Sequence, residues 1–200
     1  WKDNCLMPIP LGVLAVAGAG AAGGASSYDL LQTTLITSNT ASVNFSSINT
    51  LASGYKHLEL RATMRNNTSY VLEDLKIQFN GVTGSSYNFH YLNGDGSTVN
   101  TGVASSIPND VIQIRNIAGN TAGSNQFGAM TLSLLDFGST NKTKTIRAMS
   151  GLLVTGSENF SRVELTSGFL NSTNAITSML LFPASGSFVS GSRFSLYGIK

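Results

Sequence analysis

The sequence predicts an all-β protein, an antiparallel β-sandwich of jelly-roll type with an extended N-terminal arm. Three observations carry that reading. From Tyr28 onward, apolar and polar residues alternate with a period of two. Clusters of Ser, Thr, Asn and Gly break the alternation at short intervals, as turns do. No stretch of about ten residues or more keeps a helical period. The chain divides into an arm over 1–26 and one sandwich domain over 27–200.

The first strand falls at 29–37, where the run Thr33-Thr34-Leu35-Ile36-Thr37 is rich in β-branched residues. A second is placed at 41–48. The third, 57–65, has Leu58, Leu60, Ala62 and Met64 on one face and His57, Glu59, Arg61, Thr63 and Arg65 on the other. That is the pattern of a half-buried antiparallel strand. The fourth, 73–80, ends in the turn signal Asn80-Gly81. The fifth, 87–92, runs into Asn93-Gly94-Asp95-Gly96, read as a hairpin turn in preference to half of a calcium loop. Strands follow at 111–116, at 129–137 and, after the turn residues Gly138-Ser139-Thr140-Asn141, at 144–152. The last three are 161–166, 175–182 and 193–199, and residues 100–109 and 117–125 read as the loosest loops.

Composition narrows the function. With 200 residues and 42% hydrophobic content, the chain can bury a real core. Charged residues make up 11%, against roughly 25% in a typical soluble domain. Ser, Thr and Asn take their place, at 27, 19 and 18 residues. Such a surface is polar with little like-charge repulsion between copies, which suits packing against itself in an assembly that tolerates high salt. The net charge of +2 is too small to argue for nucleic acid. One cysteine, Cys5, leaves no disulfide within these residues and points to assembly in a reducing cytoplasm.

The arm is uncharged from Ile9 to Gly24 and fades from Leu and Val into Ala and Gly. Gly18 to Gly23 matches the dinucleotide fingerprint G-x-G-x-x-G, but that site needs a helix next and an acid about 20 residues on. Asp29 comes too early, the next acid is Glu59, and the intervening run favours a strand, so no cofactor is expected. A secretory signal is weak because Asp3 offsets Lys2 and two prolines interrupt the approach. A membrane span is weak because the stretch is shorter than roughly 18–20 residues and rich in glycine. The remaining reading is an assembly arm. Leu11, Val13, Leu14 and Val16 anchor it in neighbouring subunits, and its Gly and Ala residues let the backbone pass close to them. The bland rival is a loose tail.

Chemistry is sparse. The two histidines, His57 and His90, have no metal-ligand spacing around them, and no G-x-S-x-G occurs. The only adjacent acids, Glu73 and Asp74, would point to opposite faces of a strand. No catalytic, cofactor or metal site is expected. The basic tract from Asn141 to Arg147 reads as a solvated strand face, not as a nucleic-acid contact. Tyr87, Phe89 and Tyr91 share one face, with Asn88 and His90 on the other. They read as an aromatic core row, or alternatively as a platform for stacking glycan rings.

Four segments carry a resemblance. They are Met7-Pro8-Ile9-Pro10-Leu11-Gly12, Tyr55 to Ala62, Ile77-Gln78-Phe79-Asn80-Gly81 and the C-terminal segment Gly186 to Lys200, most distinctive in Gly191-Ser192-Arg193-Phe194-Ser195-Leu196-Tyr197-Gly198-Ile199. Together they resemble a group of virion structural proteins of tailed phages that infect marine bacteria and cyanobacteria. The resemblance runs from Met7 to Lys200 and implies a particle component on a tail fibre or other tail appendage. It further implies partners among other virion proteins through the arm, a trimeric homo-oligomer by family analogy, and contact with host surface glycans. The alternative within that class is a capsid decoration protein. Rivals from other classes are a free lectin-like module and a glycan-degrading spike domain.

Overall fold

The computed structural model describes residues 27–104, 110–156 and 160–200. Among these, twelve strands and one helical turn form. The strands are β1 (Tyr28–Leu35), β2 (Val43–Phe45), β3 (His57–Met64), β4 (Leu72–Phe79), β5 (Tyr87–Gly94) and β6 (Val99–Ala104). They continue with β7 (Ile112–Ala118), β8 (Gly128–Leu134), β9 (Lys144–Leu152), β10 (Arg162–Leu170), β11 (Met179–Pro183) and β12 (Arg193–Ile199), and α1 is Ile48–Leu51. The arm anchors Leu11, Val13, Leu14 and Val16 lie outside the described residues.

Two antiparallel sheets pack face to face, in the orders β1-β12-β3-β8-β9-β10-β5-β6 and β2-β11-β4-β7. The pairs β1–β12, β2–β11, β3–β8 and β4–β7 are nested in sequence, as in a long hairpin rolled on itself. That nesting is jelly-roll topology. Two further hairpins, β5–β6 and β9–β10, are inserted into it. They join through the β10–β5 and β8–β9 ladders and double the width of one sheet.

The alternation of β3 explains its place. Leu58, Leu60, Ala62 and Met64 are buried, while Glu59 and Arg61 face out. Leu60 pairs with Leu196 and Leu132 on its two sides, so three leucines form one layer of the core. Ile77, Phe79, Leu181 and Phe45 face them from the small sheet in the same cluster.

Several connections differ from the expected ones for identifiable reasons. Strand β6 occupies part of the loop expected at 100–109. Its Val99, Thr101 and Val103 face one side, while Asn100 and the small Gly102 take the other and disguise the alternation. Residue 102 must be small, because a Cβ there would lie 2.4 Å from the Tyr91 ring. The strand expected at 41–48 ends at Phe45 and turns into α1, with Ser47 in the left-handed region. The strand expected from residue 175 starts at Met179, because the Asn80 side chain claims the preceding backbone. Asn80 Nδ2 donates to the Ala175 carbonyl at 2.8 Å, and Oδ1 accepts from the N–H groups of Thr177 and Ser178 at 2.7 and 3.1 Å. Asn80 and Gly81 have φ of 54° and 65°, the primed turn their sequence predicts. Here that turn leads to the opposite sheet. The loop at 117–125 is not loose: the Arg65 guanidinium donates to the carbonyls of Asn120, Ala122, Gly123 and Gln126.

Leu60→Asp should cost about 3–5 kcal/mol, since it buries an unpaired charge at the centre of the sandwich. Urea denaturation checks this, and a variant that unfolds with the parent would contradict the register of β3.

Candidate functional site

The added half of the large sheet has its polarity inverted around Glu164. On β10, Glu164 and Thr166 are buried while Val163 and Leu165 face solvent. Its neighbours match: Met149 is exposed beside buried Ser150 on β9, and Leu92 beside buried Asn93 on β5. Leu165 lies opposite Met149 on one side and Leu92 on the other, and Glu164 lies between Ser150 and Asn93. One apolar row and one polar row result. Each occupies the face where an ordinary core would put the other.

Hydrogen bonds hold the polar row inside. Glu164 is 1% exposed. Its Oε1 accepts from the Arg115 N–H at 3.1 Å and from the Thr166 hydroxyl at 3.0 Å, and Oε2 accepts from the Asn93 amide at 3.3 Å. Ser150 donates to the Arg115 carbonyl at 3.1 Å and accepts from Asn116 Nδ2 at 2.9 Å. Strand β7, which packs across β9, β10 and β5, supplies most of these partners. Beside it is a recess of about 170 Å³ lined by Phe89, Tyr91, Val103, Gln113, Arg115 and Glu164. The Arg115 guanidinium sits 4.9 Å from the centre of the Tyr91 ring and 3.9 Å from Asp74 Oδ1. Burial raises the Asp74 carboxyl above its ordinary value, against the pull of Arg115 and a hydrogen bond from Gln113. The recess is smaller than the roughly 300 Å³ of small ligand sites, and its polar groups satisfy one another. It fastens the two sheets.

The outer face is the larger feature. Met149, Val163 and Leu165 are 60%, 58% and 54% exposed. Leu92, Val99, Val103 and Leu153 are also exposed. A shallow concavity of about 500 Å³ between Gly94, Leu153 and Val163, with Asp95 and Arg162 at its edge, continues into one of about 240 Å³ between Thr131, Met149 and Val163. Among the described residues on the outer face of β5, β6, β9 and β10, the ionisable side chains are Arg147 and His90, at one rim, on either side of Ser167. The exposed apolar side chains are contiguous on one face, the arrangement that marks an interaction site.

The residues singled out in the sequence do not converge. Tyr87 and Phe89 are in the core, and the Tyr87 hydroxyl accepts from the Phe79 N–H at 2.9 Å. A glycan platform on this row is therefore incorrect for both residues, which are closed off by the small sheet. Tyr91 is half-buried, lies over Gly102 and meets Arg115, so its ring is occupied. The basic tract is not one solvated face. Lys142 pairs with Asp136 at 2.7 Å, and Arg147 faces out. Lys144 is buried, and its ammonium donates to the carbonyls of Ser139, Lys142 and Thr173. Three strands of the large sheet separate His57 from His90. His57 Nδ1 accepts from the Asp136 N–H at 3.0 Å. Glu73 and Asp74 bond different partners, Ser185 and Gln113. Asp95 closes the β5–β6 hairpin; donors from Thr98 and Ser97 hold its carboxyl well below the usual carboxylate range. Among the described residues, no three His, Cys, Asp or Glu side chains gather as a metal site, and no helix is long and apolar enough to cross a membrane.

No protein-family model and no curated protein matches the chain.

Inverted polarity has an energetic signature. Glu164→Ala should destabilise the protein by about 2–4 kcal/mol, because three buried donors lose their acceptor. Leu165→Lys, one residue away, should stay within about 0.5 kcal/mol of the parent in dilute solution. Urea titrations of the two variants check the contrast, and reversed costs would place Leu165 inside.

Proposed function

We propose that the chain is a structural component of a tailed-phage virion, part of a tail fibre or other tail appendage. It is held in the particle by its N-terminal arm and by contacts between copies. The observation that carries this reading is the uncharged apolar face of the widened sheet. On a free monomer such a face invites indiscriminate association, whereas in a particle neighbours cover it. The charge content of 11% supports the same reading, since identical subunits can crowd together without repulsion. The resemblance to tailed-phage virion proteins is strongest in the segment that includes β12, the partner of both β1 and β3. The role is structural: the carboxyl groups of Asp74 and Glu164 already serve as acceptors in the recess. Host-glycan contact through Tyr87 and Phe89 forms no part of the proposal.

The test is made on particles. Peptides of the chain should be found in purified virions and should follow the tail when heads and tails are separated. Recovery with the heads would favour capsid decoration. Deleting residues 1–25 should leave a folded domain that is missing from particles, and normal incorporation of the truncated chain would contradict the anchoring role.

A further inference from the structure

We infer that the outer face formed by Met149, Leu165, Leu92 and Val163 is the surface through which a second copy of this chain docks, patch against patch. The four strands that carry it are the two hairpins added to the jelly roll, and the sandwich core does not require them for its nested pairing. They contribute Tyr87, Phe89, Ile146, Ala148 and Leu170 to the core, but around Glu164 they turn polar groups inward and apolar groups outward, and there they add a surface.

Three features choose the occupant. The first is charge. A partner of different chemistry would be met by complementary charges across the patch, yet Arg147 and His90 lie at one rim and Asp95 and Arg162 at the other end, and the centre can face its own copy without burying like charges. The second is width. From β9 to β6 the patch crosses four strands, roughly 14 Å, whereas neighbouring strands are spaced only about 5 Å apart. A single extended segment is too narrow to cover it alone. The third is area. A standard interface hides about 800 Å² per partner, with an apolar centre inside a polar rim. Seven exposed apolar side chains framed by Thr101, Thr131, Ser133 and Ser167 have that layout. Packing a face on its own copy is an isologous contact and closes as a pair around a twofold axis. It does not generate the threefold arrangement expected by family analogy.

This deepens the self-association within the proposed function and rests on that part of it. The experiment uses purified full-length protein, so its outcome is separate from whether the chain is found in virions. Light scattering and sedimentation should give a two-chain mass, unchanged between low and roughly molar salt because few ion pairs are screened. Leu165→Lys and Met149→Lys should each weaken pairing by about 100-fold or more, since every pair would bury two unpartnered ammonium groups. Tyr70→Lys, at an exposed loop aromatic away from the patch, should leave pairing unchanged. Unaltered urea unfolding of the Leu165 variant in dilute solution excludes misfolding as the cause. A monomer at all concentrations, a trimer, or a pair that survives both lysine substitutions would overturn the inference. So would a monomeric full chain that pairs once residues 1–25 are removed, since the arm would then be the occupant.

Discussion

The buried carboxyl of Glu164 sets the polarity of the widened sheet, and the proposed surface depends on it. Side chains on a strand alternate, so a group fixed inside at 164 places 163 and 165 outside. Two ladders carry that choice sideways, to Met149 on β9 and Leu92 on β5. Hydrophobicity alone would drive the strand to the opposite face. What opposes it is the pair of donors from Arg115 and Asn93 on neighbouring strands, each of which would be left unpaired by a slip of one residue.

The jelly roll and its additions divide the work. In the nested core, pattern and position agree: Leu58, Leu60 and Met64 are apolar and buried, and Leu132 and Leu196 meet them from the adjacent strands. Around Glu164, in the added hairpins, the rule reverses while hydrogen bonding stays nearly complete. Local rules that fail in a well-satisfied setting tend to fail where a protein works. Exposing Val163, Leu165, Met149 and Leu92 gains nothing for a solitary domain, and only a covering neighbour recovers the burial energy of those side chains.

Much of the fold was legible in the sequence because most strands obey the period of two. The limits of β9 and β12 coincide with those expected, and the faces of β3 are assigned correctly. Legibility ended where a side chain replaced a backbone partner, as Asn80 does ahead of β11, and where small or polar residues filled an inner face, as on β6. The candidate surface was illegible for a different reason. In Arg162-Val163-Glu164-Leu165-Thr166, alternation is plain but its sign is not. The partners that reverse the sign, Asn93 and Arg115, lie about 50–70 residues away in sequence, beyond any local pattern. The aromatic row misled in the other direction, because both a core and a platform require the same spacing, and only the small sheet above Tyr87 and Phe89 decides between them.

Covalent trapping decides which side of β10 faces a second copy. Cys5→Ser would remove the one native thiol, and single cysteines would then replace Met149, Leu165 or Leu92 in the full chain. A disulfide needs Cβ atoms about 3.5–4.5 Å apart, so only positions near the axis between copies can bridge. On oxidation in dilute solution, at least one of the three should convert to a covalent pair, and a cysteine replacing exposed Tyr70 should not. If none of the three bridges, or Tyr70→Cys does so as readily, copies do not meet through this face.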